Sequence, residues 1–186
     1  MNLRRRSFLK SAAAAFPAAA LTGLAATAPA LQPSSAVHPV AAGRDRSGHL
    51  HSLGFSSLAF KVTTADSGGN LFVIEHTNLM PGAGPALHLH YAQDEWFYVL
   101  AGAVVFQVGD RRVQLDAGES VLGPRRVPHT FSAQHSPAHL LIAFAPAGKM
   151  EQYFTDSCAH PSLAATADFM NRYEMQWVGP SPFWKA

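Results

Sequence analysis

Between residues 53 and 145 the apolar residues alternate with polar ones over short runs, and glycine or proline separates the runs. Alternation with a period of two places every second side chain on one face of a strand. Residues 58–63, 71–76, 95–100, 104–108, 111–115, 120–122, 129–133 and 139–145 each read as a strand. Asp66, Ser67, Gly68 and Gly69 form a turn, and Gly109-Asp110 is a two-residue hairpin turn with glycine where positive φ is needed. Many short strands at regular spacing predict an all-β sandwich or barrel. No stretch repeats, so one such unit is expected. After Pro146 the period changes. Residues 149–155 and 162–173 carry helical spacing, with Leu163, Phe169 and Met170 on one side. The tail, residues 177–184, is aromatic and proline-rich, and it is expected to pack over the barrel or against a second subunit of a homodimer.

Candidate chemistry lies within the strand pattern. His88 and His90 are two apart, so on a strand both imidazoles leave one face. Glu95 has the wrong parity for one unbroken strand, but the polar loop at residues 91–94 lets a second strand return it to the same side. The stretch from Gly118 to His129 supplies a third imidazole. Three imidazoles and a carboxylate form a mixed nitrogen and oxygen donor set, suited to one divalent ion of Fe, Mn, Co, Ni, Cu or Zn. Shared inward parity with Glu95 and His129 places Phe97 and Phe131 on the expected pocket wall. Arg125 and Arg126 stand near its expected mouth. A second His-x-His, His49 and His51, lacks spaced Gly, Pro or Glu partners, and no metal role is expected of it.

These residues resemble the two cupin motifs. Gly82, His88, His90, Glu95 and Gly102 occupy every fixed place of the first. Gly118, Pro124 and His129 match the second, where Arg126 replaces a glycine and Ala133 an asparagine. Neither replacement removes a ligand, though both bear on the local turn and pocket. The stretch at about residues 71–154 is similar to short bacterial cupins described as quercetin-dioxygenase-like. That resemblance implies a jelly-roll barrel with a metal inside and a short helical C-terminal extension. It implies a dioxygenase acting on a flavonol-like or other small phenolic substrate, with Glu95 as both ligand and catalytic base. A non-enzymatic metallo-cupin that binds a small molecule is the alternative, as is a cupin isomerase or epimerase. An isomerase pocket calls for several inward polar residues, and the residues around the motifs are aromatic.

The N-terminus changes the charge picture. Residues 5–10, Arg-Arg-Ser-Phe-Leu-Lys, look like the twin-arginine (Tat) export signature, and an alanine-rich apolar run follows. Small residues at Ala28 and Ala30 offer a cleavage site, against the alternative of an uncleaved anchor. The expected organisation is a signal peptide over 1–30, a loose lead-in over 31–52, a cupin domain over 53–148 and a helical, aromatic tail over 149–186. Arg4, Arg5, Arg6 and Lys10 leave with the signal, so ten basic residues remain against twelve acidic ones, a net charge of −2. No basic stripe is left for nucleic acid. The expected partners are the Tat translocase during export and a small-molecule substrate, and the expected location is the periplasm or beyond. The single cysteine, Cys158, cannot form an internal disulfide, and an inert, packed thiol is the expectation.

Overall fold

A computed structural model describes residues 38–184. The signal segment and its cleavage site lie outside the described residues. The strands are β1 (His51–Ser52), β2 (Ser57–Val62), β3 (Phe72–Leu79), β4 (Leu87–His90), β5 (Asp94–Ala101), β6 (Ala103–Val108), β7 (Arg111–Asp116), β8 (Ser120–Gly123), β9 (His129–Ala133), β10 (Ala138–Ala145) and β11 (Met175–Gly179). Two helices, α1 (Met150–Ala159) and α2 (Ala167–Arg172), precede the last strand. One sheet has the order β1-β2-β3-β10-β5-β8 and the other β11-β4-β9-β6-β7, with all strand pairs antiparallel. Two antiparallel sheets, each burying one face, make the expected all-β jelly roll.

The alternation read from sequence fixes what each strand buries. On β5, Glu95, Phe97 and Val99 point inward, while Trp96 and Leu100 are exposed. On β10, Ala138, Leu140, Ile142 and Phe144 are buried, and each intervening residue before the exposed Ala145 is half-buried. Phe72, Phe97, Phe106 and Phe144 are fully buried and centre the core. Their rings meet at offset or edge-on angles, as for Phe97 and Phe106 at 5.1 Å.

The C-terminal segment differs from its sequence reading. Helical spacing predicts a helix over residues 162–173, yet α2 begins only at Ala167. Thr166 holds an extended conformation, φ −94° and ψ 147°, and the preceding residues are turns. Phe169 and Met170 are buried as expected, but Leu163 lies on those turns and is exposed. The tail is not merely a packing strap. Glu174, at φ 62°, reverses the chain after α2, and residues 175–179 form β11 along the edge of β4. Met175 faces His90 and Trp177 faces His88 in that pairing. Part of the expected lead-in is also ordered. Asp45 is buried, its carboxylate accepting a hydrogen bond from the Phe60 backbone N–H at 2.5 Å, and His51 opens β1. Among the described residues, no helix is long and apolar enough to cross a membrane.

Candidate metal centre

Strands β4, β5 and β9 bring four side chains together inside the barrel. His88 and His90 leave the same face of β4, and both are buried. His129 opens β9 directly opposite His88 in the register. Glu95 reaches them from β5 in the other sheet. One ligand atom from each of His88, His90, Glu95 and His129 lies within 4.8 Å of the others.

Hydrogen bonds behind the cluster set the ring orientations. His88 Nδ1–H donates to the Ala86 carbonyl at 2.8 Å, and His129 Nδ1–H donates to the Val127 carbonyl at 2.9 Å. In each neutral ring the lone pair is then on Nε2. His129 Nε2 stands 2.8 Å from Glu95 Oε2, and His90 Nε2 stands 2.9 Å from the same oxygen. A bare imidazole nitrogen and a carboxylate oxygen are both acceptors. At 2.8 Å they need a shared positive charge, either an added proton or a cation. The donor set therefore fits a first-row transition metal, with all four side chains presenting lone pairs to one point.

The electrostatics agree. Burial pulls the His88 pKa down to about 3, reinforced by the charges of His129 and His90, so its ring is neutral at pH 7. Burial also lowers His90, against the opposing pull of Glu95. For Glu95 burial acts to raise the pKa, but hydrogen bonds from His129 and His90 outweigh it and hold the carboxyl below its ordinary range. A neutral His88 ring and an ionised Glu95 carboxylate are the protonation states that metal ligands require.

A cavity of about 510 Å³ opens beside the cluster. His88, His90 and Glu95 stand in its wall with Phe131, Ile142 and Phe144, so it is largely apolar. The C-terminal extension supplies much of the remaining wall through Met150, Tyr153, Phe154, Met170, Met175 and Trp184. Trp184 is tied down where its Nε1–H donates to the Gly84 carbonyl at 3.0 Å. Sequence reasoning does not assign these residues to the site, because no helical period identifies a cavity wall. It misses His76 as well. That residue is buried on β3, lines the cavity, and is hydrogen-bonded through Nε2 to Ser56 Oγ.

The remaining sequence candidates divide cleanly. Phe131 lines the cavity. Phe97 does not: it is fully buried behind the wall, 5.3 Å from the Phe131 ring and 6.0 Å from His129. Inward parity places a residue in the core, and only depth along the strand decides whether it reaches the cavity. Arg125 does not line the cavity; it pairs with Asp94 on the surface, its guanidinium 2.7 Å from the carboxylate. Arg126 stands where the motif has glycine and keeps glycine's left-handed backbone, φ 64°, while its N–H donates to the His90 carbonyl at 2.7 Å. His51 is away from the cluster, stacked on Phe60 at 4.2 Å, and His49 is exposed. Cys158 is half-buried, and burial raises its pKa to about 11, which leaves the thiol protonated.

Comparison with known proteins agrees with this architecture. Residues 75–144 match the family model described as cupin domain. An RmlC-like cupin from Shewanella frigidimarina superposes with a TM-score of 0.52 at 19% identity, over 62% of this chain and 96% of that one. The TT1209 protein from Thermus thermophilus is 32% identical over 42% of this chain and 74% of its own, with a TM-score of 0.40. KdgF from Halomonas sp. is 18% identical over 54% of this chain and 87% of its own, with a TM-score of 0.48. No curated protein matches the chain by sequence. The matched segment contains all four side chains of the buried cluster, the fold around it is the cupin jelly roll, and the chain carries a cupin domain.

Proposed function

We propose that this protein is an exported, metal-dependent dioxygenase acting on a small phenolic substrate, flavonol-like or catechol-like. The observation that carries the reading is the approach of His129 Nε2 and Glu95 Oε2 to 2.8 Å beside an apolar, aromatic-walled cavity. His88, His90, Glu95 and His129 would hold one divalent first-row ion. When bound, such an ion supplies Lewis acidity and a place where oxygen chemistry can occur. The protein's own residues supply the rest. The apolar wall excludes water and holds a flat ring by contact. Glu95 Oε2 is engaged by two imidazoles, which leaves Oε1 to accept the proton of a phenolic hydroxyl.

The binder reading keeps the metal and omits the chemistry. The isomerase reading is disfavoured by the cavity wall, where His76 and Tyr153 are the polar side chains outside the cluster. Export through the twin-arginine route belongs to the same proposal and rests on residues 5–10. Oxygen uptake with catechols and flavonols tests the enzymatic reading. Consumption matched by ring-cleaved product supports it. Absence of turnover across the candidate metals and a broad phenolic panel favours the binder.

A further inference from the structure

Residues 83–86 lead into β4 without regular structure, and Pro81 and Pro85 have no N–H to give to a ladder. Among the described residues, β4 meets β9 in register at one position, His88 opposite His129. The two strands that carry His88, His90 and His129 are therefore thinly joined by backbone. Side chains of β9 supply further bonds. Ser132 Oγ accepts the Gly82 N–H at 3.0 Å, and the Thr130 hydroxyl donates to the Pro85 carbonyl at 2.7 Å. Three consecutive carbonyls ahead of β4 are thus held. Trp184 Nε1–H holds Gly84 at 3.0 Å, Thr130 holds Pro85, and His88 Nδ1–H takes Ala86 at 2.8 Å. The last of these bonds orients the ring that presents Nε2 to the cluster.

Thr130 stands in the middle of this arrangement. It follows His129 on β9, and strand alternation sends its side chain to the face opposite His129 and Phe131. It is not among the residues of the cavity wall, yet it is only 1% exposed, with Ser181 Oγ of the C-terminal tail 3.3 Å from its hydroxyl oxygen. A hydroxyl has one hydrogen, and a carbonyl only accepts. The Thr130 hydrogen is therefore committed to Pro85, and the Ser181 hydroxyl is the donor to Thr130 Oγ1. A buried hydroxyl with a donor on one side and an acceptor on the other has one orientation. We infer that Thr130 is a positioning residue of the metal centre. It ties the strand that carries His129 to the segment whose next carbonyl sets the His88 ring, and the docked tail keeps its hydroxyl aimed.

This rests on the reading of the cluster as a metal site, and the test separates the two. Cobalt(II) alone is the probe, added to wild type, Thr130→Val, Thr130→Ala and Thr130→Ser without substrate. Affinity is measured by competition with a chelator, and visible absorption reports the arrangement of the ligands. We expect cobalt to bind about tenfold more weakly in the Val and Ala variants, the low end of what loss of a bond behind a ligand costs, with an altered absorption spectrum. Thr130→Ser restores the hydroxyl and should return both readouts toward wild type. Val keeps the shape of the side chain and Ala leaves space, so one of them can fail to fold without loss of the test. A merely structural role would lower the melting temperature of the metal-free protein and leave affinity and spectrum unchanged. That result in either folded variant overturns the inference alone, as does a Ser variant that behaves like Val. Wild type that takes up no cobalt overturns the metal reading and this inference with it.

Discussion

Glu95 concentrates the electrostatics of the site in one residue. It is buried and ionised because two imidazoles face it, and an apolar cavity lies beside it. Glu95→Gln keeps the size and one oxygen donor but removes the charge and basicity. Turnover per bound metal should fall by roughly a hundredfold or more, the usual worth of a positioned general base. Equal turnover per metal would remove Glu95 as the base. Arg126 illustrates a different cost. Its left-handed backbone is strained for any side chain with a Cβ, and the turn it makes still delivers its N–H to the His90 carbonyl. Arg126→Gly should stabilise the fold by up to about 1 kcal/mol, the relief of strain exceeding the added freedom of the unfolded chain. Chemical denaturation reads this directly, and a destabilised Gly variant would mean that contacts of the arginine side chain outweigh the strain.

Among the elements, those around the metal cluster are the most legible in sequence. The spacing of His88 and His90 requires a common face on any strand, and β4 has it. The alternation of β5 and β10 is likewise a local property of the chain. The motif departure at Arg126 leaves the turn undecided, because sequence does not reveal whether a substituted residue will accept positive φ. What sequence does not disclose depends on long-range partners. β11 is only five residues long, and its strand character comes from pairing with β4 rather than from its own pattern. The cavity wall is built from a helix, a turn and a tail, whose inward residues share no period. Phe97 has the inward direction that parity gives, and its depth in the core, behind the cavity wall, is not a property of parity.

The edge pairing has a consequence for the ligands. β11 braces the outer edge of the strand that carries His88 and His90, so removal of residues 174–186 should lower metal retention although no ligand is lost. Retention equal to the full chain would show that β4 is held by β9 alone. Gly84 provides a sharper probe from the opposite side. A Cβ there would run into the Phe131 backbone carbonyl, and φ of 143° is strained for other residues. Gly84→Ala should therefore displace β9 or its own loop, with a loss of several kcal/mol by denaturation and reduced metal content.

At the scale of the whole molecule, burial of histidine ties stability to pH. Burial lowers the His76 pKa from 6.5 to about 4. Between those values the unfolded chain binds a proton that the folded chain refuses. The neutral ring thus contributes stability that is fully present above pH 6.5 and is lost as pH falls toward 4. The slope approaches about 1.4 kcal/mol per pH unit for one such group. The melting temperature of chelator-treated protein should fall between about pH 7 and 5, and less steeply in His76→Phe. Parallel curves would mean that His76 does not titrate on unfolding.

The export proposal also belongs to the whole chain. Changing Arg5 and Arg6 together to Lys should hold precursor in the cytoplasm, and cell fractionation would detect it. Unaltered export would refute a twin-arginine signal.

All of the chemistry proposed for this molecule requires that His88, His90, Glu95 and His129 hold a metal ion. Elemental analysis of the purified protein tests that requirement most directly, with His129→Ala and His51→Ala measured beside the wild type. His129 contributes a lone pair to the cluster, whereas His51 is stacked on Phe60 outside it. The prediction is one first-row transition metal ion per chain in wild type and His51→Ala, and loss of most of it in His129→Ala. Full occupancy in His129→Ala, or loss in His51→Ala, would contradict the account.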